Sequence, residues 1–150
     1  MRIVRSAAAA EAAELSELAF RSEAYWGYDP EYMDKFKAYY SISQEFITKN
    51  PTVVLEADDG RIGFYGILIN RDEISLEYFF IDPEYIGKGY GRLLWDSLTE
   101  RCKSLGIREF SIVTSPQARD FYVKMGAVHC GEVESLLKKG RMIPRLIYRV

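Results

Sequence analysis

Phe79-Phe80-Ile81-Asp82-Pro83-Glu84-Tyr85-Ile86-Gly87-Lys88-Gly89-Tyr90-Gly91-Arg92-Leu93-Leu94-Trp95 carries the most specific local pattern in this 150-residue chain. An apolar strand ends at Asp82-Pro83, and three alternating glycines then open an amphipathic helix. The first N–H groups of a helix have no internal partner and sit at the positive end of its dipole. Glycines let the backbone approach an anion closely and adopt positive φ. A diphosphate is the natural guest for such a turn. Other phosphate motifs fit worse. A dinucleotide fingerprint needs G-x-G-x-x-G after the first strand of a βαβ unit, and a P-loop needs G-x-x-x-x-G-K-[ST]. The spacing here is G-x-G-x-G, and earlier strands precede it.

Working outward, Ile74 to Ile81 is apolar enough on both faces to lie mid-sheet. Upstream, Thr52 to Ala57 and Ile62 to Ile69 read as strands joined by a turn at Asp58-Asp59-Gly60-Arg61, with Gly63 and Gly66 as candidate bulges. Asn70 to Asp72 is another turn. Asn50-Pro51 closes helical segments at Glu31–Tyr40 and Ser43–Thr48. Arg2 to Arg5 reads as a first strand. Ser6 reads as the N-cap of a helix from Ala7 to Ser22, with Ala8, Ala12, Leu15 and Ala19 on one face. Downstream, Leu94, Leu98, Cys102 and Leu105 recur at helical spacing before Gly106. A strand at Glu109–Val113 follows, then a helix at Pro116–Met125. A final antiparallel pair spans Val128–Val133 and Ile143–Val150. The order β-α-α-β-β-β-α-β-α-β-β mixes hairpins with crossovers, so the expected class is α+β, as one domain over residues 1–150.

Composition narrows the function. Twenty basic and 22 acidic residues give a net charge of −2, without the basic excess of a nucleic-acid binder. Cys102 and Cys130 form no C-x-x-C, and His129 is the one histidine, so no metal site is expected. No apolar h-region opens the chain, and no apolar run approaches the ~20 residues of a membrane span, so a cytoplasmic protein without membrane association is expected.

The glycine loop resembles the [QR]-x-x-G-x-[GA] motif of the GCN5-related N-acetyltransferase (GNAT) superfamily, aligned on Ile86-Gly87-Lys88-Gly89-Tyr90-Gly91. Ile86 stands where the family has Gln or Arg, which removes a polar contact but no backbone contact. Ser115-Pro116-Gln117-Ala118-Arg119-Asp120-Phe121-Tyr122-Val123-Lys124-Met125-Gly126-Ala127 is similar to the family's N-x-x-A-x-x-[FL]-Y-x-x-x-G-F segment, with Ser115 and Ala127 as departures. The ending Met125-Gly126-Ala127-Val128 and the upstream Tyr25-Trp26-Gly27-Tyr28 resemble a bacterial subset of the family. The resemblance runs in order over nearly the whole chain. It implies a mixed, mostly antiparallel central sheet whose parallel strands 4 and 5 splay apart, with flanking helices. Acetyl-CoA would lie in that V. Phe80 and Ile81 would hold the pantetheine arm. The loop Gly87, Lys88, Gly89, Tyr90, Gly91 and Arg92 would bind the pyrophosphate, with Ser115, Ala118 and Tyr122 completing the cofactor surface.

Acetyl transfer to an amine needs a deprotonated acceptor, a polarised thioester carbonyl and a leaving thiolate. The resemblance assigns the acid to Tyr122, whose phenol is protonated at neutral pH. Glu77 is the candidate base, because an acid within Leu76-Glu77-Tyr78-Phe79-Phe80 is unexpected unless it faces a cavity. A backbone N–H near Phe80 or Ile81 would meet the oxyanion. Glu23, Tyr25, Trp26 and Tyr28 form an aromatic-acidic cluster suited to a cationic amine. Cys102 reads as core, His129 as a strand residue without catalytic part, and Lys138-Lys139-Gly140-Arg141 as a solvated turn. Lys124 and Arg92 are candidates for CoA phosphates. The acceptor is a small-molecule or peptide amine that the sequence does not identify. Exposed edge strands make a homodimer the expected assembly. The alternatives are a non-catalytic acyl-CoA-binding regulatory module, marked by a Glu77 sealed from the cleft, transfer of a different acyl group, and a nucleotide-binding protein of another fold.

Overall fold

The computed structural model describes all 150 residues, Met1–Val150. Strand β1 (Ile3–Ser6) leads through a 3-10 turn (Ala9–Glu11) into helices α1 (Ala12–Ala24), α2 (Pro30–Tyr40) and α3 (Gln44–Lys49). A three-strand meander follows as β2 (Thr52–Ala57), β3 (Gly60–Ile69) and β4 (Ile74–Ile81). Then come α4 (Tyr90–Ser104), β5 (Glu109–Val113), α5 (Pro116–Lys124), β6 (Val128–Glu134) and β7 (Met142–Arg149). The strands form one seven-stranded sheet in the order β1-β2-β3-β4-β5-β7-β6. Only β4 and β5 run parallel.

Local chemistry sets most boundaries. Asp29 caps α2 by accepting the Tyr32 N–H at 2.8 Å, with Pro30 in the first turn, and Ser43 caps α3 through the Phe46 N–H at 3.0 Å. The start of α1 departs from the sequence reading. Ser6 is the last residue of β1, opposite Val53, and the Ala7 N–H continues the ladder to the Thr52 carbonyl at 2.9 Å. The ladder wins over the cap, so α1 begins at Ala12 and Ala8 stays exposed. Glu11 is buried there, held between Arg5 and Arg61 at 2.7 Å each. Leu105 also departs: it is the C-cap of α4 and is exposed, while Leu94, Leu98 and Cys102 are fully buried.

The sheet separates two cores. One face packs on α4 and α5 through Leu94, Trp95, Leu98 and Tyr122, against Tyr65, Ile67, Leu76 and Phe110. The other packs on α1, α2 and α3 through Leu15, Leu18, Phe36 and Ile47, against Val54 and Phe64. Each fully buried Leu contributes about 1.5–3 kcal/mol by leaving water.

The bulges fall beside the glycines expected to carry them. Between β3 and β4 the register steps from Gly66 opposite Tyr78 to Ile67 opposite Leu76, leaving Glu77 as the extra residue. Between β2 and β3 the extra residue is Ile62. The glycines serve close approach instead: a Cβ on Gly63 would sit 2.5 Å from the Phe80 carbonyl oxygen.

Candidate active site

β4 and β5 pair at only two positions, Ser75 with Ser111 and Leu76 with Ile112. β4 runs on through Glu77–Ile81 without a neighbour on that side, so its β5-facing N–H and C=O groups have no strand partner. The helices that follow the two strands, α4 and α5, begin at this same end of the sheet. The result is a cleft floored by unpaired strand backbone and bordered by two helix N-termini.

At the α4 border, Gly87 and Gly89 adopt φ of +81° and +85°, and Gly89 is the N-cap. The Leu93 N–H makes the first helical bond, to the Gly89 carbonyl at 3.3 Å. The six N–H groups from Gly87 to Arg92 donate to no backbone or side-chain acceptor in the chain. No acidic residue lies in the first turn of α4, and Lys88 and Arg92 are exposed beside it. Space around the Cβ positions of Gly87 and Gly89 is open. A diphosphate fits this donor set: unshielded amides, flanking cations and no opposing carboxylate. Gly91 differs from the other two glycines. It lies inside the helix, where a Cβ would come 3.1 Å from the Phe121 ring, so it serves α4–α5 packing.

At the α5 border, Ser115 is the N-cap and its hydroxyl makes no capping bond, while Ala118 packs at the core edge. Tyr122 is 6% exposed, with its ring against Phe79, Trp95 and Phe121 at centroid distances of 5.9, 5.8 and 5.3 Å. Burial, and then the charge of Glu23, push its phenol well above the ordinary tyrosine range. Phe80 and Ile81 are half-buried on opposite faces at the end of β4, Phe80 with the α1–α3 core and Ile81 with the α4–α5 core.

The bulge decides where Glu77 points. Tyr78 packs with the α1–α3 core, and Glu77 shares that face: its charge raises the Tyr40 and Tyr78 phenols, the latter to about 12, with burial the larger cause in each. Glu77 is exposed and accepts a hydrogen bond from the Ser75 hydroxyl at 3.0 Å. It is open to solvent on that face. Glu23, near the end of α1, is half-buried and accepts the Tyr32 hydroxyl at 2.9 Å. Burial raises its carboxyl above the usual range, against the opposing pull of Tyr32 and Arg141. Tyr40 feels both carboxylates, and Tyr122 feels Glu23. Glu23, bonded to Tyr32, lies with the α1–α3 side of the sheet, and Tyr122 packs with the α4–α5 side.

The aromatic cluster splits. Tyr28 stacks on Tyr32 at 3.9 Å and so joins Glu23. Tyr25 and Trp26 meet each other edge-on at 5.4 Å and stay about half exposed beyond the end of α1. Arg141 corrects the solvated-turn reading: it is half-buried, with its guanidinium 5.4 Å from the Tyr28 ring and 5.7 Å from the Tyr32 ring. Sequence reasoning missed Tyr32, Tyr40 and Arg141. Arg141 lies 109 residues from Tyr32, and no local pattern joins them. No three His, Cys, Asp or Glu side chains cluster as a metal site would require. No helix is long and apolar enough to cross a membrane.

Residues 16–139 match the family model described as the acetyltransferase (GNAT) domain. The chain belongs to the GNAT acetyltransferase family. The match covers both edges of the cleft, including the Gly87–Arg92 loop and Tyr122. A Bacillus subtilis (strain 168) protein provisionally named a ribosomal protein bS18-alanine N-acetyltransferase is 34% identical over 77 residues, covering 49% of this chain. The chain spans about half the length of that curated relative, 51%. Among solved structures, the PaiA N-acetyltransferase of Thermoplasma acidophilum in complex with coenzyme A aligns over 100% of this chain and 99% of its own, with 20% identity and a TM-score of 0.82. The Escherichia coli ribosomal-protein-S18-alanine N-acetyltransferase aligns over 99% and 94%, with 14% identity and a TM-score of 0.74. The GNAT fold of this chain, with its mixed sheet and splayed parallel pair, agrees with the sequence reading.

Proposed function

We propose that this GNAT domain transfers the acetyl group of acetyl-CoA to a primary amine by direct attack on the thioester. The observation that carries the reading is the row of six unpartnered N–H groups from Gly87 to Arg92 at the mouth of the β4–β5 cleft. These amides, with Lys88 and Arg92, hold the donor's pyrophosphate, and the free edge of β4 at Phe80 and Ile81 receives the pantetheine arm. A backbone N–H near Phe80 or Ile81 meets the charge that develops on the carbonyl oxygen. Ser115 and Ala118 line the α5 side.

Glu23 takes the proton of the acceptor ammonium. Its raised carboxyl is a stronger base than an exposed glutamate, and it lies close enough to act on Tyr122. Glu77, exposed on the same face, is the second carboxylate of this wall and the route to bulk water. As the amine nitrogen bonds to the carbonyl carbon and the C–S bond breaks, Tyr122 gives its proton to the departing sulfur, and the second proton shed by the acylated nitrogen returns to the phenolate. The raised phenol keeps that proton at every physiological pH. Tyr28 walls the acceptor side, with Tyr25 and Trp26 at its outer rim.

The test is thiol release from acetyl-CoA across a panel of amines, with Glu23→Gln and Glu77→Gln compared. Turnover should rise with pH through a group titrating above ordinary carboxylates, and Glu23→Gln should remove that limb. An unchanged profile in Glu23→Gln, with the limb lost in Glu77→Gln, assigns the base to Glu77. Failure of every amine while coenzyme A binds refutes transfer to a primary amine.

A further inference from the structure

A cavity of about 380 Å³ opens between the start of α2 and the loop joining β6 to β7, and one of its lining residues, Tyr32, bonds to Glu23. Four cations line it, Lys35, Lys138, Lys139 and Arg141, against two carboxylates, Asp29 and Glu31. Those carboxylates are largely engaged. Asp29 caps α2 through the Tyr32 N–H, and Glu31 faces Lys35 at 3.9 Å. Arg141, Lys138 and Lys139 have no carboxylate within ion-pair distance. This positive cavity stands in a chain whose net charge is −2.

Arg141 is held ready. Its two terminal nitrogens donate to the hydroxyls of Tyr32 and Tyr28 at 3.3 Å each. A guanidinium fixed on two stacked rings, with three cations in one concavity, is suited to a carboxylate or phosphate. The same Tyr32 hydroxyl donates to Glu23 at 2.9 Å, so the Glu23 carboxylate and the Arg141 guanidinium lie within roughly 6 Å of each other. Arg141 on the cavity wall and Glu23, which adjoins that wall through the Tyr32 hydroxyl, therefore present a positive and a negative group at the separation of the two ends of a short zwitterion.

We infer that the acceptor is an amine that carries an anionic group a few bonds away, the amine facing Glu23 and the carboxylate or phosphate facing Arg141, Lys138 and Lys139. This rests on the transferase reading above and adds the acceptor's class. Purely cationic polyamines are disfavoured, because their second ammonium would fall among three unpaired cations.

The experiment compares matched pairs with the intact chain: β-alanine with its amide, phosphoethanolamine with ethanolamine, and an alanyl-glutamate dipeptide with alanyl-glutamine, with spermidine as the cationic control. The carboxylate and phosphate arms distinguish the two anion sources. The acid-bearing member should have at least tenfold higher kcat/KM than its neutral partner. Arg141→Gln should erase that preference through the acceptor KM while the acetyl-CoA KM is unchanged, and Arg141→Lys should restore part of it. Lys138→Gln with Lys139→Gln checks the same point without touching the packed tyrosines. Equal use of the neutral partners, or better use of spermidine, overturns the inference. Should none of these amines turn over, calorimetry of β-alanine and phosphoethanolamine with the coenzyme A-loaded protein decides: saturable binding abolished in Arg141→Gln supports the anion cavity, and no binding refutes it. Failure of coenzyme A itself to bind strikes the transferase reading instead.

Discussion

Tyr122→Phe separates a catalytic phenol from a packing one. The ring sits among Phe79, Trp95 and Phe121, all contacts that phenylalanine keeps. The hydroxyl has no hydrogen-bond partner in the chain; burial and the Glu23 charge are what act on it. Removing a polar group that has no partner is nearly neutral or slightly stabilising, within about 0.5 kcal/mol. For a domain of this size that moves Tm by no more than roughly 2 °C. A general acid contributes about 10²–10⁴ in rate, or ~3–5 kcal/mol of barrier. The expected outcome is a kcat at least a hundredfold lower, with the acetyl-CoA KM within about twofold of wild type. Stopped thiol-release assays at saturating acetyl-CoA, beside thermal melts, measure both. An undiminished kcat removes Tyr122 from the mechanism. A Tm drop of many degrees would show instead that the hydroxyl is structural, against the packing described.

Gly89→Val places a β-branched residue at φ +85°, where the space around the new Cβ is open within the chain. The strain should cost about 1–2 kcal/mol of stability and leave a folded protein, while coenzyme A affinity by calorimetry falls at least tenfold; an unchanged affinity would reassign the loop. Gly63→Ala directs a Cβ to 2.5 Å from the Phe80 carbonyl oxygen, so it should lose about 1–3 kcal/mol by urea titration, and a neutral result would contradict the β3–β4 approach. Glu11 is held down to about 2, first by its hydrogen bond to Arg5. Its folded pKa lies below the unfolded one, so the stability it contributes is present above about pH 4.5 and is lost as pH falls toward 2. Glu11→Gln should therefore cost about 2–4 kcal/mol at pH 7 and much less near pH 2, and an equal loss at both pH values would mean that the ion pairs are not the source.

The sequence by itself determined what depends on near neighbours. Alternating glycines before a helix, Asn50-Pro51 as a stop, and the apolar run of Ile74–Ile81 all act through backbone geometry over a few residues, and each lies where the sequence reading placed it. The motif around Tyr122 was legible for the same reason. Three things were decided only by the tertiary structure. The ladder from β1 to β2 overruled the Ser6 cap, because pairing with Val53 and Thr52, some 45 residues away, satisfied the same backbone groups. The bulge opposite Gly66 turned Glu77 onto the face of Tyr78, which strict alternation would have forbidden. Arg141 reached Tyr28, Tyr32 and the neighbourhood of Glu23 across more than a hundred residues. A charged group in a Lys- and Gly-rich loop reads as solvated until folding packs aromatic rings beneath it, since contact between distant segments is set by the whole sheet and by no local spacing.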